Sequence, residues 1–215
     1  MPPRALEPAG VALVDKPGGP SSFAIVAQIR RATGARTGHA GTLDPFATGL
    51  LVILSGRATR LQPSLVGLDK RYETRIDLTA TTTTGDPEGD VVERHPPREP
   101  DLAALHGEIE LPVSAASAIK IDGERAYKLH RRGIEVAMPV RRSTVYDLAV
   151  LDRDETSVTL DLRVSSGTYI RSIAQALGGH CVALRRTEVG PFSIGEAEVP
   201  EAFRLLPEAE VLARL

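Results

Sequence analysis

The chain has 215 residues, of which 42% are hydrophobic and 25% are charged, and its formal net charge at pH 7 is -2. This balance is typical of a globular protein with an ample core, and no apolar run approaches the ~20 residues of a membrane span. A single cysteine, Cys181, excludes an internal disulfide and a thiolate metal cluster, so we expect a cytoplasmic protein. Because the net charge is close to zero, a role on nucleic acid would depend on local basic patches.

The first quarter of the chain predicts a strand, a helix and a second strand. Residues 11–15 are apolar and precede a turn rich in proline and glycine, which is typical of a short buried strand. Ser21 or Ser22 is expected to cap the helix that follows, and Gly34 lies just past its end. The apolar run from 50 to 54 predicts the second strand. The inward face of the helix is expected to consist of Phe23, Ile25, Val26 and Ile29.

From residue 70 onward, strands and helices are mixed without strict alternation, which favours an α+β fold over a doubly wound sheet. Residues 70–81 alternate in polarity and predict a half-buried strand with Tyr72 on its core-facing side. The other predicted elements are a short helix at 58–61, a modest helix at 101–106, a strand at 119–121, a helix at 124–132, paired strands at 143–151 and 158–164, a helix at 169–177, a strand at 181–184 and an acidic helical tail at about 200–215. We predict one domain over residues 1–215.

Small residues surround one acid in the segment from 38 to 52. Asp44 is followed directly by Pro45, and three glycines in the segment allow backbone conformations that other residues avoid. A loop of this kind beside a buried strand is a common way to present a reactive carboxylate. The alternative is an Asx-type turn, in which the Asp44 side chain bonds its own backbone. The turn statistics alone favour the second interpretation.

Six short segments, in this order along the chain, resemble the TruB family of pseudouridine synthases. They are Val14–Pro17, Gly38–Pro45, Lys70–Tyr72, Ser117–Lys120, Gly167–Arg171 and Leu184–Arg186. The second segment, Gly-His-Ala-Gly-Thr-Leu-Asp-Pro, is highly specific on its own. The three residues 47–49 look like those of the bacterial tRNA enzymes rather than the guide-RNA-dependent dyskerin relatives. The resemblance covers nearly the whole chain and implies a mixed, largely antiparallel central sheet flanked by helices and loops.

The resemblance also implies an activity, which is isomerisation of the T-loop uridine at tRNA position 55 to pseudouridine without cofactor or metal. Asp44 would be the nucleophile or base, and whether it attacks the ribose or the pyrimidine stays open. Arg171 would keep that carboxylate charged and oriented, and Tyr72 would pack on the target base after it is flipped out of the RNA. The other substrate-binding residues would be His39, which fills the vacated space, Tyr169 and Leu184 as apolar walls, and Lys16, Lys70, Arg71, Lys120, Arg131 and Arg132 on the RNA.

Several of these residues have ordinary alternatives, since tyrosines and leucines are usually core residues and single basic residues are usually solvated. A non-catalytic RNA-binding module would use the same basic residues but would not need Asp44. A phosphoryl-transfer enzyme would need a second acid at close spacing for magnesium, and none is found. The expected partner is therefore the T-arm of tRNA, with no membrane and no protein partner, and the protein is expected to be a monomer.

The sequence departs from the family pattern in two places. Val113–Ala116 stands where family members have Pro-Pro-x-Tyr, so no site role is carried onto those positions. The C-terminal RNA-binding (PUA) domain of most members is not recognised in this sequence.

Overall fold

The computed structural model of the protein describes residues 8–215, which form two compact units. Unit 1 contains the described residues up to Tyr72 together with Leu184–Leu215, and unit 2 contains Glu73–Ala183. The expectation of a single domain over the whole chain stays a prediction. No helix in the described part of the chain is long and apolar enough to cross a membrane.

The described elements follow each other as a mixture of strands and short helices. The strands are β1 (Gly10–Lys16), β2 (Thr37–His39), β3 (Thr48–Ser55), β4 (Lys70–Asp77), β5 (Ala80–Thr82), β6 (Val91–Arg94), β7 (Gly107–Pro112), β8 (Lys120–Ile121), β9 (Glu124–Arg125), β10 (Val140–Arg153), β11 (Ser157–Val164), β12 (His180–Val189) and β13 (Phe192–Ser193). The helices are α1 (Ser22–Thr33), α2 (Gln62–Val66), α3 (Ala126–Arg131), α4 (Ile170–Ala176) and α5 (Glu208–Leu212), and 3-10 turns occur at Gly56–Leu61, Ala103–Leu105 and Ile194–Glu196.

Unit 1 is built on the buried strand β3. Antiparallel β1 lies along β3 with Leu13 opposite Val52, and β2 pairs with the far end of the same strand. The end of β12 runs parallel to β3, with Arg186 opposite Gly49, and β13 folds back on β12. Every residue of β3 after Thr48 is buried, so the strand forms a rigid base for the loop that precedes it.

Helix α1 confirms the predicted caps and corrects one predicted core residue. The Ser21 hydroxyl accepts the Ala24 N–H at 3.2 Å, and Gly34 ends the helix in the left-handed conformation at φ 66°. Phe23 was predicted to face inward, but it is 72% exposed, because Ser22 occupies the inward position. The buried set of α1 is Ser22, Ile25, Val26 and Ile29.

Unit 2 contains an antiparallel sheet in the order β4, β11, β10 and β7, to which β4 contributes its residues from Glu73 onward. β10 pairs with β11 on one side and with β7 on the other, and two register shifts interrupt its pairing with β11. The alternation predicted for β4 is present, with Tyr72, Thr74 and Ile76 buried. The largely antiparallel sheet and the α+β class are therefore confirmed.

The strands predicted at 143–151 and 181–184 are longer in the structure, at Val140–Arg153 and His180–Val189, and three other predicted elements are much shorter. β4 ends at Asp77, whose carboxylate accepts the Thr79 N–H at 2.7 Å and turns the chain before β5. The predicted helix at 124–132 begins as the β8–β9 hairpin, so α3 is shorter. The acidic tail contains only the five-residue helix α5, and Leu206, just before it, pairs with Val11 of β1 in an isolated bridge.

Candidate active site

Asp44 lies in unit 1, half-buried, at the start of a tight turn between β2 and β3. The Ala47 N–H donates to the Asp44 carbonyl at 3.2 Å and closes the turn through the main chain. Pro45 occupies the second position of that turn, where its fixed φ is favourable. The sequence therefore forms the predicted small-residue turn, with the acid as its first residue.

Side chains from β1 and α1 hold the residues on both sides of Asp44. The Ser22 hydroxyl donates to the Leu43 carbonyl and accepts the Leu43 N–H, both at 2.8 Å. The Lys16 ammonium donates to the Pro45 carbonyl at 3.1 Å, and the Gly19 N–H donates to the same oxygen at 2.8 Å. These bonds fix the backbone immediately before and after the acid.

Two basic residues near this loop, Lys16 and Lys70, are buried. Lys16 is 0% exposed and also donates to the carbonyls of Pro17 and Pro20, and Lys70 is 6% exposed and donates to those of Val66 and Leu68. Each ammonium is buried against main-chain carbonyls in this structure, and contact of Lys16 and Lys70 with RNA phosphates stays a prediction.

The charge of Arg186 acts on two other titratable groups of unit 1. Burial and then the charge of Arg186 lower the pKa of Lys70 to about 8, while Asp69 acts in the opposite direction. Burial, and after it the same Arg186 charge, lowers the pKa of His39, so a neutral imidazole is favoured at physiological pH. Nδ1 of His39 is buried without a hydrogen-bond partner among residues 8–215. Sequence reasoning did not assign a role to Arg186, which is 1% exposed.

The other predicted residues of unit 1 have ordinary burial for their types. Tyr72 and Leu184 are buried at 8% and 7% exposure, and Arg71 is half-buried. Tyr72 lies on the core-facing side of β4, as the alternation predicts. An apolar wall and a core residue have the same burial, so the roles of Tyr72 and Leu184 stay predictions.

In unit 2, Arg171 lies in the first turn of α4 and is 3% exposed. Its Nη1 is 3.2 Å from a carboxylate oxygen of Asp86 and donates to the Ser114 hydroxyl at 2.7 Å and to the Thr84 carbonyl at 2.9 Å. Its Nη2 donates to the Ala116 carbonyl at 3.2 Å. Arg171 is therefore a buried, multiply bonded cation, and the alternative of a surface arginine is excluded.

Sequence reasoning missed Asp86 and Ser114, both of which hold Arg171. Asp86 is 3% exposed, and its carboxylate also accepts the Thr84 hydroxyl at 2.5 Å and the Glu88 N–H at 3.0 Å. Ser114 lies in the segment that departs from the family pattern, and we assigned no role there. The signal available in the sequence was the position of Asp86 between Gly85 and Pro87, but its partner Arg171 is distant in sequence.

The remaining predicted RNA contacts of unit 2 lie at its surface. Lys120, Arg131 and Arg132 are exposed, and Tyr169 is half-buried at the start of α4. Arg132 forms an ion pair with Glu124 at 2.8 Å, and the Arg131 guanidinium lies 5.6 Å from the centre of the Tyr127 ring. No group of three or more His, Cys, Asp or Glu side chains suited to a metal ion is found among the described residues.

Comparison with known proteins points to a single family. A family model described as TruB family pseudouridylate synthase (N terminal domain) matches residues 29–170. A curated protein called tRNA pseudouridine synthase B from Leifsonia xyli subsp. xyli is 45% identical, over 96% of this chain and 76% of its own length. A protein of the same name from Thermobifida fusca is 44% identical, over 95% of this chain and 78% of its own length.

Solved structures agree with this assignment. A chain from the crystal structure of a Cbf5-Nop10-Gar1 complex has a TM-score of 0.64 and 29% identity, over 86% of this chain and 50% of its own length. A chain from the archaeal box H/ACA sRNP Nop10-Cbf5 complex has a TM-score of 0.63 and 26% identity, over 94% of this chain and 54% of its own length. This chain thus spans about half the length of those solved chains. By its family model, its relatives and its fold, the chain belongs to the TruB family of pseudouridylate synthases.

Proposed function

We propose that this chain is a tRNA pseudouridine synthase that isomerises the T-loop uridine at tRNA position 55. The observation that carries the proposal is the loop around Asp44, which has the family motif and whose backbone is held on both sides of the acid. The relatives with 44–45% identity are called tRNA pseudouridine synthase B, which supports the choice of substrate.

The proposed reaction breaks the N1–C1′ glycosidic bond, turns the base and forms a C5–C1′ bond, with loss of the proton from C5 and gain of a proton at N1. The sum is an isomerisation, so no oxidant or group donor is required. Asp44 is the proposed nucleophile or base, since a carboxylate can serve either purpose. A backbone held before and after the acid preorganises the carboxylate and reduces the entropic cost of reaching the attack geometry.

Catalysis on a T-loop uridine requires the base to be extruded, at a cost of a few kcal/mol of stacking. We propose His39, Tyr72, Tyr169 and Leu184 as residues that receive or replace the base. Exposed basic residues are the proposed phosphate contacts, namely Arg71, Lys120, Arg131 and Arg132. Lys16 and Lys70 are buried, so for these two residues a phosphate contact would require the ammonium group to move when RNA binds.

The catalytic role that the family resemblance implies for Arg171 stays part of the proposal. Its buried position and its bonds to Asp86 and Ser114 support a fixed guanidinium rather than a solvated charge. Arg171→Lys should recover little of the activity lost in Arg171→Ala, because lysine lacks the planar fork. Wild-type activity in Arg171→Lys would show that charge alone is sufficient.

We further propose that the protein acts as a monomer, without a protein partner, in the cytoplasm. Size-exclusion chromatography with light scattering on the purified chain tests the oligomeric state. A dimer whose dissociation abolishes activity would contradict this part of the proposal.

The function is tested with a T-arm stem-loop that carries tritium at C5 of its uridines. Formation of the C5–C1′ bond releases that tritium to water, which is counted after the RNA is removed. Wild type should release tritium in the presence of EDTA, whereas Asp44→Asn should bind the RNA with little change and release none. Turnover by Asp44→Asn above a few per cent of the wild-type rate would exclude Asp44 as the reacting group, and inactive wild type would overturn the proposed function.

A further inference from the structure

Arg186 is a buried charge to which the proposed chemistry gives no role. Burial of a guanidinium is unfavourable unless its donors are satisfied. Nε of Arg186 donates to the Leu50 carbonyl at 2.7 Å, Nη2 donates to the Gly41 carbonyl at 3.0 Å, and Nη1 makes a longer bond of 3.4 Å to the Thr42 carbonyl. A leucine or methionine would fill a core position without desolvating a charge, so the contribution of this residue lies in these bonds.

The acceptors of Arg186 lie at the two ends of the loop that carries Asp44. Gly41 and Thr42 precede the acid, and Leu50 follows it in β3. The guanidinium is a planar fork whose donors point in fixed directions, so it joins both ends in one geometry. A lysine ammonium is a point charge and does not reproduce that arrangement.

The main chain of Arg186 holds the same loop a second time. In the parallel register of β12 and β3, Arg186 lies opposite Gly49, which has a φ of +101°. A Cβ on Gly49 would be 2.3 Å from the Arg186 carbonyl oxygen, so glycine is required for this close approach. Gly41 has a φ of +99°, and a Cβ there would be 3.5 Å from Nη1 of Arg186.

The charge of Arg186 also reaches the neighbourhood of the loop. It contributes, after burial, to the lowered pKa of His39, which is two residues before Gly41 in the chain. It contributes in the same way to the lowered pKa of Lys70, whose Cε would be 4.0 Å from a Cβ on Gly41. The electrostatic effects therefore agree with the hydrogen bonds in placing the guanidinium next to Gly41, where the loop begins.

We propose that Arg186 is a positioning residue for Asp44, because its guanidinium ties the entry of the loop at Gly41 to its exit at Leu50. The proposal rests on the proposed function of Asp44. Ser22 and Lys16 each fix one side of the acid, whereas Arg186 sets the separation of the two ends. A reactive group displaced by about 1 Å can react about 100-fold more slowly. Loss of Arg186 should therefore appear in the chemical step and not in RNA affinity.

The main test compares Arg186→Lys with wild type in single-turnover tritium release at saturating enzyme, with T-arm affinity measured by filter binding. The rate should fall by about 10- to 100-fold while the dissociation constant changes by less than about threefold. Arg214→Lys is the matched control, because Arg214 is an arginine of the same unit that bonds Glu196 and the Pro191 carbonyl. The control should keep its rate within about threefold of wild type.

A second variant covers the case in which Arg186→Lys does not fold. Gly41→Ala keeps the guanidinium but strains the backbone that presents the Gly41 carbonyl to it. As for Arg186→Lys, we expect the rate of the chemical step to fall while the affinity for the T-arm stays unchanged. A folded Arg186→Lys or Gly41→Ala that reacts at the wild-type rate overturns the proposal. Equal losses of rate and affinity also overturn it, because they indicate an RNA contact.

Amide hydrogen exchange of residues 42–48 in the absence of RNA separates this proposal from the proposed function. Exchange should be faster in Arg186→Lys than in Arg214→Lys or wild type, because the two loop ends are released. Faster exchange together with inactive wild type means that the proposed function fails while the loop is still held by Arg186. Unchanged exchange together with active wild type means that the positioning role fails.

Discussion

Replacement of Asp86 by asparagine should destabilise the protein strongly although it changes few atoms. Asp86→Asn removes the negative charge 3.2 Å from Nη1 of Arg171, at a site where both side chains are at most 4% exposed. Breaking a buried ion pair by changing one partner costs about 3–5 kcal/mol. Asparagine keeps an oxygen for the Thr84 hydroxyl and the Glu88 N–H, so we expect a value near the lower end, about 3 kcal/mol.

Thermal and urea unfolding of the purified variants measure this effect. For a chain of this length, 1 kcal/mol shifts the unfolding midpoint by roughly 2–4 °C, so the expected shift is about 6–12 °C. Asp90→Asn is the matched control, because Asp90 lies in the same loop but is exposed, and it should change stability by less than about 0.5 kcal/mol. Equal stability of Asp86→Asn and Asp90→Asn would refute the role of the ion pair.

A double-mutant cycle tests whether the effect acts through the guanidinium. Asp86→Asn combined with Arg171→Met removes both charges, so no buried cation remains without its counter-charge. The double variant should be more stable than the sum of the two single changes predicts, with a coupling energy of at least about 1 kcal/mol. Strict additivity would mean that Asp86 stabilises its loop independently of Arg171.

Three further outcomes are expected. Gly49→Ala should destabilise the fold by at least about 2 kcal/mol in urea unfolding, because a positive φ strains alanine. In addition, the alanine Cβ would be 2.3 Å from the Arg186 carbonyl oxygen. A variant as stable as wild type would show that the two backbones do not approach this closely. The pKa of Lys70 is lowered from 10.5 to about 8 by burial and by Arg186, so the unfolded chain binds more protons between these values and the free energy of unfolding should rise with pH there. Lys70→Met should lose that rise, and parallel pH profiles would contradict the assignment. Reversing the charge of Arg131 and Arg132 together should weaken T-arm binding. The slope of log binding constant against log salt concentration should decrease in magnitude by roughly 0.7 to 0.9 per lost phosphate contact. An unchanged slope in filter binding would exclude these two residues from the interface.

Local rules predicted most of the fold because they depend on neighbouring residues. The alternation in β4 identified its buried face, and Ser21 and Gly34 mark the ends of α1 as capping chemistry predicts. The misplacement of Phe23 has a physical reason. A helix that buries Ile25, Val26 and Ile29 also buries the residue three positions before Ile25, which is Ser22.

The sequence was less informative about the site, because its polar contacts join distant segments. Lys16 resembles a surface cation in sequence, but its partner Pro45 comes near it only when β1 and β3 pair. The ion pair of Arg171 with Asp86 likewise depends on the fold of unit 2. Motif matching located Asp44 and Arg171, since the family pattern includes them. It gave no signal for Ser114, which lies outside that pattern.

The three hydrogen bonds of Arg186, like those described for Lys16, end on main-chain carbonyls, and this affects how the loop tolerates sequence change. Every amino acid supplies a carbonyl, so the accepting side of such a bond survives almost any substitution, whereas the donor has no substitute. A saturation library scored for the rate of tritium release should therefore show broader tolerance at Thr42, which is exposed, than at Arg186, which is buried. The side chains that fix the conformation of this loop therefore lie largely outside it, in β1 before it and in β12 after it.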